Sequence, residues 1–365
     1  MGTVSTKQEE FVFISLLSKV HHSTKNQPMK AAIIQEINQP VSVQEVEKPQ
    51  AGPGEVIVQL KAAALNHRDV FVQQGKYPGM KLPVIIGSDG AGVVSEIGEG
   101  VSEEWLGQEV IINPSHNWGP DDRFYSKSFK ILGMPDNGTF AEYLKVEAKY
   151  LHPKPQHLSF EAAAAIPLGG LTAWRALMTR ASMKSGERVL VTGIGGGVAL
   201  FVLQFAVASG AEVWVTSGSD EKIEKAIALG AKGGVNYKDP NWAKNLIADT
   251  GGDRSGYFDV IIDSAGGPHF AKLIDVATAG GRICFFGGTT GNITDIIPGK
   301  VFFKQLNIYG STMGTEAEFE AMIQFIEEKQ IQPILDETFT LDDTEMALRR
   351  MDNGTQFGKI VLKIG

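Results

Sequence analysis

One cysteine, Cys284, stands in a chain of 365 residues. That scarcity excludes an internal disulfide framework and any structural zinc site built from four thiolates, and it suits a reducing, cytoplasmic setting. Positive charge is not in excess either. Lys and Arg number 34 against 42 Asp and Glu, a formal net charge of −8, and without a long basic run nothing would neutralise a nucleic-acid backbone, so no nucleic-acid partner is expected. Apolar runs are short: none approaches the ~20 residues that span a bilayer, and no membrane association is expected. Repeats and low-complexity tracts are missing too. What is present, 43% hydrophobic and 21% charged residues, is the composition of an ordinary globular protein with material for a substantial core. The length suits two domains.

Residues 1–28 read as an N-terminal extension. The strand-like KAAIIQEINQP after Met29 marks the start of the fold, and the apolar FVFISLLSKV follows Glu9 and Glu10 with no basic region before it and no cleavage pattern after it, which argues against a targeting peptide. From 29 to 158, short β-rich runs such as EVIVQLKAAAL and AGVVSEIGEG alternate with turn material, AGPGE, GKYPG and MPDNGT, the pattern of a β-rich domain. A helical stretch, SFEAAAAIPLGGLTAWRAL, then marks a boundary near 158. Over 159–303 strands and helices alternate: RVLVTG, ALFVLQFAVASG, EVWVTSG, DEKIEKAIALG, DVIIDSAG, RICFFGG. Continuous apolar strands between helices predict a parallel sheet covered on both faces, a doubly wound α/β domain. From 304 to 365 the pattern falls back to a strand, NIYGST, a helix, EFEAMIQFIEEKQ, and a last strand, KIVLKIG.

The stretch RVLVTGIGGGVALFVLQFAVASGAEVWVTSGS is a strand, a glycine-rich turn, a helix and a second strand, the context in which such a turn binds a dinucleotide. Gly193 lets the chain leave the strand sharply, Gly196 and Gly197, with Val198 following, let a pyrophosphate approach the backbone, and Ala199 keeps the helix close to the sheet. Free amides and the positive end of the helix dipole would then hold the anion. An acidic residue at the end of the second strand is the mark of an NAD site. Here that strand ends in Ser217, Gly218 and Ser219, with Lys222 one turn into the next helix, and Asp220 reads as the cap of that helix. Hydroxyls and an ammonium welcome a 2′-phosphate, so the expected cofactor is NADPH (NADP).

With those residues in view, the chain from Met29 to Gly365 resembles the medium-chain dehydrogenase/reductase superfamily, in its zinc-lacking, quinone oxidoreductase-like branch. GPGEVIVQLKAAALNHRDV, GSDGAGVVSEIGEGV, LGGLTAWRAL, the glycine turn and GKIVLKI fall in that family's order and spacing. The resemblance implies a GroES-like β-rich catalytic domain, formed by both ends of the chain, around a Rossmann cofactor domain, with the active site in the cleft and at least a homodimer or homotetramer, through the edge strand near NIYGST. Zinc members of the family carry a Cys-His pair at the first cleft loop, a Gly-His-Glu segment after it and a second Cys at the start of the cofactor domain. Here Asn66, Ser88 and Pro167 or Leu168 stand at those places, Arg68 replaces the relay hydroxyl, and residues 113–137 have none of the structural-zinc cysteines. No metal is therefore expected.

The same resemblance places Asn66 beside the nicotinamide and the substrate, Thr172 under the nicotinamide ring and His67 near the pyrophosphate. It puts Ser264 and Ala265, then Phe286, Gly287 and Gly288, at strand ends facing the cofactor, with Tyr237 near the adenosine phosphate. Asn66 is the first choice for orienting a substrate oxygen. Tyr77 matches an aromatic of the quinone reductase cleft and is a candidate proton donor or a packing residue. His116 and His157 read as surface or loop histidines, His152 has no assigned role, and Cys284, inside RICFFGG, reads as a core thiol. Trp118, Phe124 and Tyr125 suggest an apolar wall or the packing of a surface lobe. The function expected is NADPH-dependent hydride transfer to small-molecule quinones or α,β-unsaturated carbonyls. The alternatives are a metal-free alcohol or aldehyde dehydrogenase-reductase and a non-catalytic NADPH-binding protein.

Overall fold

The computed structural model describes residues 27–253 and 255–365. The expected extension, residues 1–28, lies outside the described residues apart from Gln27 and Pro28, and the first strand, Pro28–Ile34, opens at the place the sequence suggests. Among the described residues no helix is long and apolar enough to cross a membrane.

The β-rich part contains a sheet with the strand order Leu151–Pro153, Glu109–Ile112, Asp89–Ile97, Glu55–Ala64, Lys359–Lys363, Leu335–Thr340, with Tyr143–Glu147 pairing along the first half of Glu55–Ala64. Glu55–Ala64 and Asp89–Ile97 approach closely because of glycine: a Cβ at Gly92 would lie 2.2 Å from the Gln59 carbonyl oxygen. The strand Lys359–Lys363 pairs antiparallel with Glu55–Ala64, Val361 opposite Ala64. It therefore delivers Lys359 to the loop that carries Asn66, where Leu65 N donates to the Ile360 carbonyl.

The second layer system is a six-stranded parallel sheet in the spatial order Gly233–Asn236, Glu212–Ser217, Arg188–Val191, Phe258–Asp263, Ala277–Phe285, Asn307–Gly310. Read in chain order this is 3-2-1-4-5-6, the doubly wound arrangement with its switch point beside Arg188–Val191. The helix Gly197–Ala208, apolar on every face and mostly buried, lies between the sheet and the helix Pro167–Trp174, as a helix without a polar face must. Trp174, Phe201, Phe205 and Phe325 knit this layer, with ring centroids 5.3 to 5.9 Å apart. Burying each such ring stabilises by about 1.5–3 kcal/mol.

Two expectations shift. Asn307–Gly310, assigned from sequence to the return into the catalytic domain after 304, is the edge strand of the cofactor sheet. The helix Glu316–Lys329 then sends Phe319, Met322, Ile323 and Ile326 into the same core as Phe201 and Phe205, so the chain rejoins the β-rich sheet only at Leu335. The helical stretch expected from 158, with a break at Gly169 and Gly170, is instead broken before Pro167, into Phe160–Ala164, Pro167–Trp174 and a π-type turn at Arg175–Arg180. Pro167 starts a new helix at its first position, where its missing N–H costs nothing.

Candidate active site

The glycine turn begins where Arg188–Val191 ends. Gly193 has φ +65° and Gly195 φ +120°, backbone that side chains resist, so the turn depends on glycine at both. At Gly196 an added Cβ meets nothing within 4 Å, which leaves the approach to the first helical amides open, as a pyrophosphate requires. Gly197 serves a different neighbour from the one expected: a Cβ there would lie 2.5 Å from Lys359 Cδ, so its bareness makes room for that lysine's stem. Val198 is half-buried against the core. Along the same sheet edge, Ser264 Oγ returns to the Thr192 carbonyl (3.3 Å) and Ala265 O accepts from Thr290 N and Oγ1. Phe286, Gly287 and Gly288 follow the end of the fifth strand. Asp263, beneath them, accepts from Thr192 Oγ1 (2.6 Å) and Gly266 N (2.7 Å), and burial raises its pKa.

The end of the second strand differs in detail from the sequence reading. Ser217 is buried with its hydroxyl on the Ile194 carbonyl. Ser219, not Asp220, caps the following helix by accepting from Lys222 N, and Asp220 is its first residue, held by Asn236 Nδ2. Both are good caps, and the chain has taken the earlier one. Lys222 arches over Gly195 and donates to the Gly354 carbonyl (2.9 Å); burial lowers its pKa. Tyr237 and Lys238 close on Gly218 from the neighbouring strand: a Cβ there would lie 2.8 Å from Tyr237 Oη and 3.2 Å from Lys238 Cε. The strand end is thus flanked by two ammonium side chains, Lys238 having no signature in the sequence pattern.

Across the cleft, Asn66 is only 8% exposed and both polar atoms of its amide have a partner, with one Nδ2 proton to spare. Asn66 Nδ2 donates to Asp89 Oδ2 (2.9 Å), and Asn66 Oδ1 accepts from Lys359 Nζ (2.8 Å). Lys359 Nζ also donates to Asp89 Oδ2 (2.8 Å) and the Leu65 carbonyl (2.7 Å), which uses all three of its protons. Asp89 Oδ1 accepts from Leu168 N (2.7 Å), at the start of the helix that carries Thr172. One buried ion pair therefore joins the Asn66 loop, the glycine turn and the Thr172 helix. Sequence reasoning missed both members; the signal was a charge inside otherwise apolar strands, in GSDGAG and GKIVLKI. Thr172 is buried with its hydroxyl toward Met313 Sδ (3.9 Å). Asp69 completes the helix cap by accepting from Asn66 N (2.8 Å), and burial raises its carboxyl to about 6. His67 stands beside this network, its pKa lowered first by desolvation and then by Lys359.

Arg68 is 7% exposed. Its Nη1 donates to Ser88 Oγ and to the Leu132 carbonyl (2.7 Å), and Tyr77 lies over the guanidinium, ring centroid 4.7 Å from Cζ. Tyr77 also packs against the β-rich core. Of the two histidines expected on the surface or in loops, His157 does lie in a turn, whereas His116 departs from that reading. His116 is buried, stacked 3.8 Å from Tyr150, with its pKa lowered to about 4 by desolvation. His157 is half-buried with Nε2 3.1 Å from the Ile331 carbonyl, and His152 pairs with Glu316 (2.6 Å). Trp118 is a buried anchor under Arg175, while Phe124 and Tyr125 stay exposed around a cavity of about 250 Å³. Cys284 is buried, its thiol pushed up to about 12 by burial.

Comparison with known proteins matches residues 52–156 to the alcohol dehydrogenase GroES-like domain and residues 197–328 to the zinc-binding dehydrogenase family. The chain is 40% identical to a zinc-type alcohol dehydrogenase-like protein, YogA, of Leptosphaeria maculans, over 89% of this chain and 95% of that protein. It is 30% identical to an acryloyl-coenzyme A reductase of Metallosphaera sedula, over 92% of this chain and 99% of that protein. Among solved structures, an NAD-dependent alcohol dehydrogenase superposes with a TM-score of 0.87 at 38% identity, covering 92% of this chain and 100% of that one. The zinc implied by these names does not fit the residues present. Among the described residues no group of three or more His, Cys, Asp or Glu side chains is placed to hold a metal, and the Arg68 guanidinium, hydrogen-bonded to Ser88, would repel a dication there.

Proposed function

The chain belongs to the medium-chain dehydrogenase/reductase superfamily and is an oxidoreductase of that type; from that premise we propose that it uses NADPH to reduce α,β-unsaturated carbonyls or quinones without a metal. The observation that carries this reading is the donor set of the cleft. The Arg68 guanidinium, with Nε and Nη2 free, and the Asn66 amide beside it suit an oxygen that gains charge, Ser88 and Lys359 spend their protons holding this loop in place, and none of the four is a thiolate or imidazole ligand. A nicotinamide bound at the glycine turn supplies a hydride. Lys359, through Asn66 and Asp89, fixes the loop against the turn; Thr172 and the half-buried Val198 offer a wall for the ring. Lys222 and Lys238 at the strand end favour a 2′-phosphate. Acryloyl-coenzyme A, named in one relative, is itself an α,β-unsaturated carbonyl, which supports the enone branch of the reading. We also take the assembly to be a homodimer or homotetramer, joined through the open edge of Asn307–Gly310, in a cytoplasmic setting.

The test is NADPH oxidation, followed at 340 nm, against enones, quinones and aldehydes with and without a zinc chelator. Turnover of enones or quinones that ignores the chelator is expected. Turnover of aldehydes alone, or loss of activity with chelator, would overturn the reading.

A further inference from the structure

The Arg68 guanidinium has two N–H groups, Nε and Nη2, that are buried and meet no hydrogen-bond partner. It forms no ion pair among the described residues. The adjacent carboxyl, Asp69, is turned to the Asn66 amide and raised to about 6. A buried cation with empty donors is costly, and such a group needs an explanation. Support of the local fold does not provide one. Ser88 Oγ donates to the Leu132 carbonyl by itself (2.8 Å), so the two acceptors that Arg68 engages are already joined without it.

We propose that Arg68 is a catalytic anion receptor: its unpartnered N–H groups hold the carbonyl oxygen of a conjugated substrate as that oxygen becomes negative. This deepens the proposed function and rests on its reading of the substrate. When hydride adds to the β-carbon, the C=C pair moves to form a new Cα=C bond and the C=O pair moves onto oxygen, leaving an enolate; a proton from solvent then adds at Cα. NADPH is the two-electron reductant and NADP⁺ the oxidised product. The fixed positive charge of Arg68 is worth most at the enolate, in a site with little water. Tyr77 acts as the cover. Its ring, carried on a turn with positive φ at Gly75 and Gly79, lies on the guanidinium and must shift for the oxygen to enter.

Crotonate, a planar conjugated carboxylate, is the probe, with crotonamide as the neutral control, and binding to the full chain carrying NADP⁺ is measured by calorimetry. Wild type is expected to bind crotonate more tightly than crotonamide. Arg68→Gln should weaken crotonate about tenfold or more, the loss of charge-assisted bonds, with crotonamide unchanged, and Arg68→Lys should restore part of it. Arg68→Met, which removes the unpaired charge and leaves Ser88 and Leu132 joined, should melt no lower than wild type. No crotonate binding by wild type, equal binding by Arg68→Gln, or a clear fall in melting temperature for Arg68→Met, which marks a structural strut, would each overturn the proposal. Arg68-dependent crotonate binding together with no turnover of enones would uphold the receptor and remove the substrate reading instead.

Discussion

Asp69 and His116 are buried, and their environments displace them in opposite directions. Asp69, raised to about 6, keeps its proton in the folded chain where the unfolded chain has lost it, so its contribution to stability declines as pH rises from about 4 to 6. His116, lowered to about 4, stays neutral where the unfolded imidazole is charged, so its contribution is lost as pH falls from about 6.5 to 4. Each effect is worth about 3 kcal/mol, and in the wild-type protein the two slopes offset one another. Asp69→Asn should therefore steepen the loss of stability on acidification, and His116→Gln should reverse the slope. Urea unfolding at several pH values between 4 and 7 measures both; curves parallel to wild type would refute the assignment. The glycine turn was legible in the sequence because its neighbours form a fixed strand–turn–helix pattern, whereas Asn66 and Thr172 were singled out only through the family resemblance. Lys359 and Asp89 were not legible, since their pairing spans 270 residues, and an unfilled valence such as that of Arg68 has no sequence signature at all.

The glycine turn and the strand end show how far an element can be read from its own residues. Gly193 performs the expected exit, whereas the role of Gly197 is set by a lysine from the other end of the fold. Gly197→Ala would press on Lys359 Cδ, a stem held by three hydrogen bonds at its tip. A loss of about 1–3 kcal/mol in stability is expected from such overpacking, visible as a lower midpoint of urea denaturation together with weaker cofactor binding. At the second strand, Ser219 and Asp220 are neighbouring cap formers, and sequence alone does not choose between them. Lys238 reaches Gly218 only because Gly233–Asn236 pairs beside it. Replacing Lys222 and Lys238 together by Ala should raise the dissociation constant for NADPH about tenfold or more and leave that for NADH nearly unchanged. Equal weakening of both cofactors would remove the 2′-phosphate assignment.

For the whole molecule, the alternation of strands and helices foretold the doubly wound sheet. The end of that sheet was misplaced because membership of an edge strand is decided by pairing, which NIYGST does not encode locally. That strand leaves one side unpaired, and Phe302 and Phe303 stand 61% and 82% exposed in the helix that precedes it. If subunits join there, Phe303→Glu should shift the mass measured by light scattering toward the monomer; an unchanged mass would place the interface elsewhere. The pairing of Lys359–Lys363 with Glu55–Ala64 bears on biosynthesis. A ribosome adds roughly 5–20 residues per second, and the entire cofactor domain is translated between those two strands. The nascent catalytic sheet must wait, incomplete, with Asp89 lacking its lysine, while the inserted domain is free to fold first. Release of the last strand is then the event that assembles the cleft, and a nascent chain stalled before residue 359 should bind dinucleotide poorly even with its glycine turn already formed.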